Sequence, residues 1–360
     1  MEDMLVSDFI SVQSATRLYS VFFRESVVSD IDKACEKDAF FVIDSHVCKL
    51  YAELFIKIPQ KRIILIEPTE ENKSIDKVKE LIECLVEKQI RKNNPLVAIG
   101  GGIVQDITAF AASLIYRGIE WQFIPTTLLA QADSCVGSKT SINLGKCKNL
   151  IGNFYPPSNI FIDVNFLKTL EKKDIQSGIG EMMHFYLYAG SCFMEKLIEN
   201  YHEILANRST LRAYIQESLS IKKSVAEIDE YDKDERNKFN YGHTFGHALE
   251  TVSNYEIRHG QAVTIGMDLA NYISSNYGVM TRDTFDRLHQ LLKVNMPAYN
   301  YRGINLNDYL QALSKDKKNL GNDLVCILAE KPGKLIKQQM KMNEQFQAVV
   351  REYFQGVWNS

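Results

Sequence analysis

Short apolar runs alternate with helix-like stretches along the first half of the chain. "AFFVID" (39–44), "RIILIE" (62–67), "LVAIG" (96–100), "EWQFIP" (120–125) and "NIFID" (159–163) are each four to six residues of mainly β-branched, aliphatic or aromatic side chains. Between several of them lie stretches with apolar residues every three or four positions, such as "NKSIDKVKELIECLVEKQI" and "VQDITAFAASLIY". Such runs read as strands, and strands alternating with helices predict a parallel sheet in an α/β domain.

The pattern changes near Lys168. Helical periodicities dominate from there, as in "CFMEKLIENYHEILAN", "STLRAYIQESLSIKKSVAEI" and "TFGHALETVS". Two domains are expected, an α/β domain over 1–168 and an α-helical one over 169–360; a length of 360 residues suits two cores better than one. "DLVCILAE" reads equally as strand or helix.

Composition narrows the function classes. A hydrophobic fraction of 45% and a charged fraction of 24% are those of a globular protein. The net charge of −3 gives no basic footprint for nucleic acid, though a few lysines can still converge on a small anion. Seven cysteines without CxxC spacing read as reduced thiols of a cytoplasmic protein. The N-terminus, acidic early and lacking an apolar core, does not read as a signal peptide, and no run of about 18 apolar residues is present to span a membrane.

Three regions carry candidate chemistry. Gly100, Gly101 and Gly102 stand between a strand and a helix, where backbone can approach a ligand closely and the helix N-terminus offers unpaired N–H groups to a pyrophosphate. The run is not GxGxxG, so a dinucleotide does not follow from the glycines alone, and a tight strand–helix turn is the alternative. Asp44 and His46 at the end of one strand, and Glu67 and Glu70 after another, occupy places where ribose-binding carboxylates sit in open α/β sheets. In the middle of the chain, Thr126, Thr127, Asp133, Lys139, Lys148 and Asn149 gather in an otherwise apolar, glycine-bearing stretch. Singly they read as surface residues; together they could bind a phosphate.

The third region holds His243 and His247, four residues apart and so on one helix face, with His259 twelve residues further on. Glu181, in an apolar helical stretch with His184, is expensive to bury without a partner. Two histidines and a glutamate form a known catalytic zinc set, but HxxxH alone is as readily packing or capping. Lys222, Arg236 and Asn240 fall just upstream, which suits an anionic, hydroxylated substrate.

Several motifs in order resemble one family. "GGGIVQD", "YRG", "PTTLLAQADSCVGSKTSIN", "KNLIG", "GIGE", "KKSVAEIDEYDKDER", "NYGHTFGHALE", "HGQAV" and the DKK of "LSKDKKNLG" resemble the 3-dehydroquinate synthases and the wider sugar phosphate cyclases. The resemblance implies an NAD-binding α/β domain, a helical metal- and substrate-binding domain, and zinc or cobalt held by Glu181, His243 and His259, while His247 contacts substrate. It implies catalytic or substrate roles for Asp133, Lys139, Lys222, Arg236 and Asn240, and phosphate contacts from Lys148, Asn149 and Lys317 (or its neighbour Lys318). Gly100, Gly101, Gly102, Asp106, Thr126 and Thr127 match cofactor positions, and Asp44, Glu70 and Lys73 are assigned there too. Arg117 matches an arginine given to the neighbouring subunit's phosphate, so a homodimer is implied.

The activity implied is that of a carbon–oxygen lyase of the shikimate pathway. It converts 3-deoxy-D-arabino-heptulosonate 7-phosphate to 3-dehydroquinate and phosphate by transient oxidation with NAD, phosphate elimination, re-reduction and intramolecular aldol closure. Two alternatives share the scaffold: another sugar phosphate cyclase, of the amino-dehydroquinate, 2-deoxy-scyllo-inosose or 2-epi-5-epi-valiolone type, and an NAD-dependent polyol dehydrogenase. Lys139, Lys148 and Asn149 weigh against the last, whose substrate carries no phosphate. The sequence also departs from the family pattern. His184 stands where the family has a lysine at a substrate-binding position, Gln105 and Ser138 stand in place of glycines, and Cys147 interrupts "GKN".

Overall fold

The computed structural model describes residues 8–145, 147–315, 319 and 323–356. They divide into two compact units, one running to Glu171 and taking in Ile215–Tyr231, the other holding Lys172–Tyr214 and the residues from Asp232 on. Ile215–Tyr231 thus clusters with the first unit, although it lies within the stretch expected to form the second.

The first unit is built on a seven-stranded sheet. In chain order its elements are β1 (Phe9–Gln13), β2 (Leu18–Arg24), α1 (Val28–Glu36), β3 (Phe40–Asp44), α2 (Ser45–Leu50), β4 (Ile63–Ile66), α3 (Ile75–Glu87), β5 (Leu96–Gly100), α4 (Gly102–Leu114), β6 (Trp121–Pro125), the small hairpin β7 (Ile142–Leu144) and β8 (Cys147–Ile151), and β9 (Asn159–Asp163). The sheet order is β1-β2-β9-β6-β5-β3-β4, parallel throughout except for the β1–β2 pair. Every residue of β3, β5 and β6 is buried, which is why these strands read as unbroken apolar runs. The order places the carboxyl ends of β3, β5 and β6 side by side, where Asp44, the triple glycine and Thr126 follow one another across the sheet edge.

The second unit is helical with one long hairpin. Its elements are α5 (Lys172–Ala189), α6 (Ser191–Glu199), α7 (Tyr201–Ala206), the start of α8 (Arg208–Ala226), α9 (His243–Val252), α10 (His259–Asn276), α11 (Arg282–Lys293), α12 (Leu306–Ser314), β10 (Asp323–Lys331), β11 (Lys334–Lys341) and α13 (Glu344–Gly356). "DLVCILAE" is a strand, paired antiparallel with β11. α10 is buried from Gly260 to Ser274 and forms the unit's axis. One oxygen of the Asp268 carboxylate, buried inside it, accepts from His289 Nδ1 and from the Tyr353 hydroxyl, both at 2.8 Å.

Glycine sets how closely α5 and α9 approach this axis. A Cβ on Gly180 would lie 2.0 Å from the Gly260 carbonyl oxygen, and one on Gly266 would lie 2.0 Å from that of Gly242. The helix backbones therefore touch at these points, and the residues beside them, Glu181, His243 and His259, are brought together.

Candidate functional site

In the first unit the glycine run closes β5 and opens α4. A Cβ at Gly100 would meet Val104 at 2.8 Å and Asp44 at 3.2 Å, and one at Gly101 would meet Thr127 Cγ2 at 3.0 Å. Gly102 begins the helix, so the α4 N-terminal amides open onto a cradle that side chains would fill. Thr126 is buried and donates its amide to the Gly100 carbonyl at 3.0 Å, tying β6 to the turn. Asp44 caps α2, accepting from the amides of His46 and Val47 at 2.8 and 3.2 Å; burial raises its pKa against those two bonds.

Beside this cradle lies a charged network. Lys73 Nζ is 2.7 Å from the Asp106 carboxylate and 2.7 Å from Asn149 Oδ1. Asp106 also accepts from the Ser141 amide and hydroxyl at 2.9 and 3.0 Å; burial raises its pKa, with Lys73 and Ser141 opposing. Glu70 accepts from Asn143 Nδ2 at 2.7 Å and lies 3.9 Å from Lys148 Nζ. Asn143 Oδ1 in turn accepts from the Asn149 amide at 2.8 Å, which supports Asn149 at φ 53°. Glu70, Lys73, Asp106, Lys148 and Asn149, assigned to two different roles in the sequence, are thus one cluster. Asn143 and Ser141 join it without having a signal of their own in the sequence; they sit inside "TSIN", whose match to the family pattern is what points to them.

Two further residues of this unit meet across 89 positions. Lys222 Nζ donates to the Asp133 carbonyl at 2.6 Å and to its carboxylate at 2.8 Å. Lys139 is exposed in the loop before β7, and Arg117 is exposed between Tyr116 and Gly118, all three of this last trio having positive φ. Ser138, with φ 66°, adopts the left-handed conformation that glycine takes without cost, and donates its hydroxyl to Glu230 at 2.5 Å. Gln105 is buried, donating to the Ser134 carbonyl at 2.7 Å and accepting from the Ser134 hydroxyl at 2.5 Å. Cys135 is inert by environment: burial pushes its thiol up to about 12. Cys147 is exposed, and none of the seven cysteines forms a disulfide.

In the second unit Glu181, His243 and His259 present ligand atoms all within 4.8 Å of one another. Glu181 is 1% exposed. His243 Nε2 lies 3.5 Å from its Oε2 and His259 Nε2 lies 3.3 Å from its Oε1. Tetrahedral bonds of about 2.0–2.1 Å to zinc leave roughly 3.3–3.4 Å between neighbouring ligand atoms, so the spacing fits a small divalent cation. Glu181 Oε1 is buried and makes no hydrogen bond, which a cation among these donors would resolve. Burial works to raise the Glu181 carboxyl, yet the facing imidazoles of His243, His184 and His259 hold it well below its ordinary value. Desolvation lowers His243, favouring the neutral imidazole that a metal needs.

His184 is 2% exposed, with Nδ1 3.3 Å from Glu181 Oε2. Its ring packs on Phe185, Phe239 and His243, with centroids 3.9, 5.6 and 5.2 Å away. His247 is exposed on α9, its ring 5.5 Å from both His243 and His259. Arg236 is buried and Asn240 half-buried in the turn before α9. Lys317 lies outside the described residues, as does Lys318.

Comparison with known proteins agrees with this architecture. The 3-dehydroquinate synthase N-terminal model matches residues 63–177 and the C-terminal model residues 178–319. A 3-dehydroquinate synthase of Helicobacter pylori (strain G27) is 36% identical over 297 residues, covering 81% of this chain and 85% of the relative. Among solved structures, a 2-deoxy-scyllo-inosose synthase complexed with carbaglucose-6-phosphate, NAD+ and Co2+ superposes with a TM-score of 0.81 at 24% identity, covering 96% of this chain and 99% of that one. ValA, a 2-epi-5-epi-valiolone synthase from Streptomyces hygroscopicus subsp. jinggangensis 5008 with NAD+ and Zn2+ bound, does so at 0.81 and 22%, covering 95% and 98%. At such identities these two speak for the fold. With its two units, its ordered motifs and a relative of this similarity along most of its length, the chain belongs to the 3-dehydroquinate synthase family.

Proposed function

We propose that this chain is a 3-dehydroquinate synthase, releasing phosphate from 3-deoxy-D-arabino-heptulosonate 7-phosphate and closing the carbocycle of 3-dehydroquinate. The observation that carries the reading is the Glu181, His243 and His259 set, at cation-binding spacing in a chain of this family. Glu181, His243 and His259 hold the divalent metal, zinc or cobalt, and the Gly100–Gly102 cradle with Asp44, Glu70, Lys73, Asp106, Thr126 and Thr127 holds NAD. When bound, NAD supplies a hydride acceptor regenerated within each turnover, and the metal supplies Lewis acidity toward substrate hydroxyls.

The chain's own residues orient and neutralise. Lys148, Asn149 and Lys317 take the substrate phosphate, with Arg117 contributed across a homodimer interface, a role its exposure supports. Arg236 and Lys222 take the carboxylate, for which a guanidinium's paired donors are suited. Lys139, Asn240 and His247 fix the ring hydroxyls and the phosphate arm, and Asp133 holds the Lys222 ammonium in place. The departing phosphate serves as base for the elimination, so that proton requires no side chain. Seven cysteines outside any disulfide support a reducing, cytoplasmic setting.

A second reading, another sugar phosphate cyclase, is favoured by one observation: His184 replaces a lysine that the family uses toward the anionic substrate, and it is buried. The test is incubation of zinc-loaded protein and NAD with 3-deoxy-D-arabino-heptulosonate 7-phosphate, following inorganic phosphate and 3-dehydroquinate together. Matched release of both supports the proposal. No release from protein that binds zinc and NAD overturns it, and phosphate release from a neutral heptulose phosphate establishes the second reading.

A further inference from the structure

The two histidines of the metal set are held by unlike partners. His243 Nδ1 lies 3.3 Å from the backbone carbonyl of Tyr241, two residues away on the same turn. His259 Nδ1 lies 3.0 Å from the Glu250 carboxylate, nine residues back on α9. In both cases Nδ1 faces an acceptor, so Nδ1 carries the proton and Nε2 is left to face Glu181. The surroundings differ as well. The His243 side chain is 15% exposed and wedged against His184, whereas that of His259 is 33% exposed and begins a helix. Packing fixes the first ring; the second has an open side and needs a tether.

From this we infer that Glu250 is a positioning residue for the metal centre, holding His259 in the Nδ1–H tautomer and at the angle that aims Nε2 into the site. The inference rests on the metal assignment proposed above and deepens it. Glu250 is well placed for this role. Its side chain is 13% exposed, and α9 carries it one turn beyond His247, on the side facing the start of α10. A carboxylate on the distal nitrogen also raises the basicity of the imidazole toward a cation, which a carbonyl does less strongly. A competing arrangement is visible in the same atoms, since His247, Glu250 and His259 also present ligand atoms within 4.8 Å of one another. A cation held there through His259 Nδ1, the nitrogen that faces Glu250, would displace the proton on that atom, so an acceptor role and a ligand role for Glu250 exclude one another. The half-buried carboxylate 3.0 Å from a ring nitrogen favours the acceptor role.

The experiment measures cobalt and zinc affinity of the full chain by chelator competition, with the visible absorption of the cobalt form and the metal count per chain, for wild type, Glu250→Ala and Glu250→Gln. Removing such an outer partner costs 10- to 100-fold in metal affinity, so Glu250→Ala is expected to weaken cobalt binding by about that factor and alter the cobalt spectrum. Glu250→Gln keeps an acceptor oxygen and is expected to lie between, with apo-protein melting unchanged; it carries the test should the alanine variant not fold. Wild type binding one metal while both variants stay within twofold, with an unaltered spectrum, overturns this inference and leaves the metal site standing. Two metals per wild-type chain, falling to one in Glu250→Ala, makes Glu250 a ligand and also overturns it. Wild type that takes up no metal overturns the site itself.

Discussion

Lys222 binds one residue twice, donating to the backbone carbonyl of Asp133 at 2.6 Å and to its carboxylate at 2.8 Å. The pair fastens α8 to the short helical segment Ala130–Ser134, and the two side chains are only 9% and 21% exposed. Two groups proposed to face substrate are therefore pre-set by each other before any ligand arrives. Lys222→Ala strands the Asp133 carboxylate in a partly desolvated place, and the expected cost is about 1.5–3 kcal/mol, the range for hydrogen bonds to charged groups. Asp133→Asn keeps an acceptor and is expected to cost less than half of that. Urea unfolding gives the stability order; equal stabilities for the two variants contradict the pairing.

Ser138 combines a penalty and a compensation that can be separated. Its φ of 66° costs a side-chain residue about 1–2 kcal/mol relative to glycine, while its hydroxyl reaches Glu230 at 2.5 Å, a charge-assisted bond worth about 1.5–3 kcal/mol. Glu230 also receives the Ser14 hydroxyl and the Ala15 amide, both at 2.6 Å, so it anchors the turn after β1 as well. Ser138→Gly loses the bond and relieves the strain; Ser138→Ala loses the bond and keeps the strain. The expected order of denaturation midpoints is wild type, then glycine, then alanine, with alanine about 2 kcal/mol below wild type. Alanine equal to or above glycine shows that the backbone is not strained there.

What the amino-acid pattern reveals follows from what is local. β3, β5, β6 and β9 are legible because these interior strands are apolar at nearly every position, and the edge strand β4 because all four of its residues are aliphatic. β1 and β2 escape notice because Phe9, Leu18 and Phe22 stand at outward positions, the first two about half exposed or more, and blur the alternation of buried and exposed residues. In the β7–β8 hairpin, β8 is almost wholly exposed and Lys148 and Asn149 interrupt it, so no continuous apolar run marks it. Nor does periodicity say which core an amphipathic helix joins, so nothing in the pattern assigns α8 from Ile215 onward to the first unit. The Glu181, His243 and His259 donors are found through their motifs. The partner of His259 is not, because a single glutamate after HxxxH reads as an ordinary solvated helix residue.

His184 tests how the site tolerates its departure from the family pattern. Its ring is enclosed by Phe185, Phe239 and His243, with Nδ1 3.3 Å from Glu181, so its contacts are those of a packed neighbour of the metal set. His184→Ala removes a buried ring, with an expected loss of about 2–4 kcal/mol from the cavity and a further loss of metal affinity as Glu181 gains freedom. His184→Gln retains a donor of similar reach, and is expected to bind metal within about tenfold of wild type with KM for the phosphorylated substrate nearly unchanged. A large rise in KM at full metal occupancy would instead place His184 on the substrate.

The sharpest structural demand falls on Gly180. An added methyl there meets the Gly260 carbonyl oxygen at 2.0 Å and its carbon at 2.4 Å, and both obstacles are backbone of α10, which cannot rotate aside as a side chain would. In an exposed helix, alanine for glycine is worth about 1 kcal/mol in favour of alanine. Here the sign reverses, because α5 and α10 must separate by more than an ångström to admit the methyl, and Glu181 on one helix then draws away from His259 on the other. Gly180→Ala is expected to destabilise by about 3 kcal/mol or more, past the upper end of ordinary overpacking, and to lose metal even in the fraction that folds. Gly356→Ala, near the end of α13 with nothing within 4 Å of the added carbon, is the matched control and is expected to be neutral or slightly stabilising. Differential scanning calorimetry with metal analysis of both variants checks the pair. If Gly180→Ala behaves like the control, helix contact at this glycine is not what brings the metal-binding side chains together.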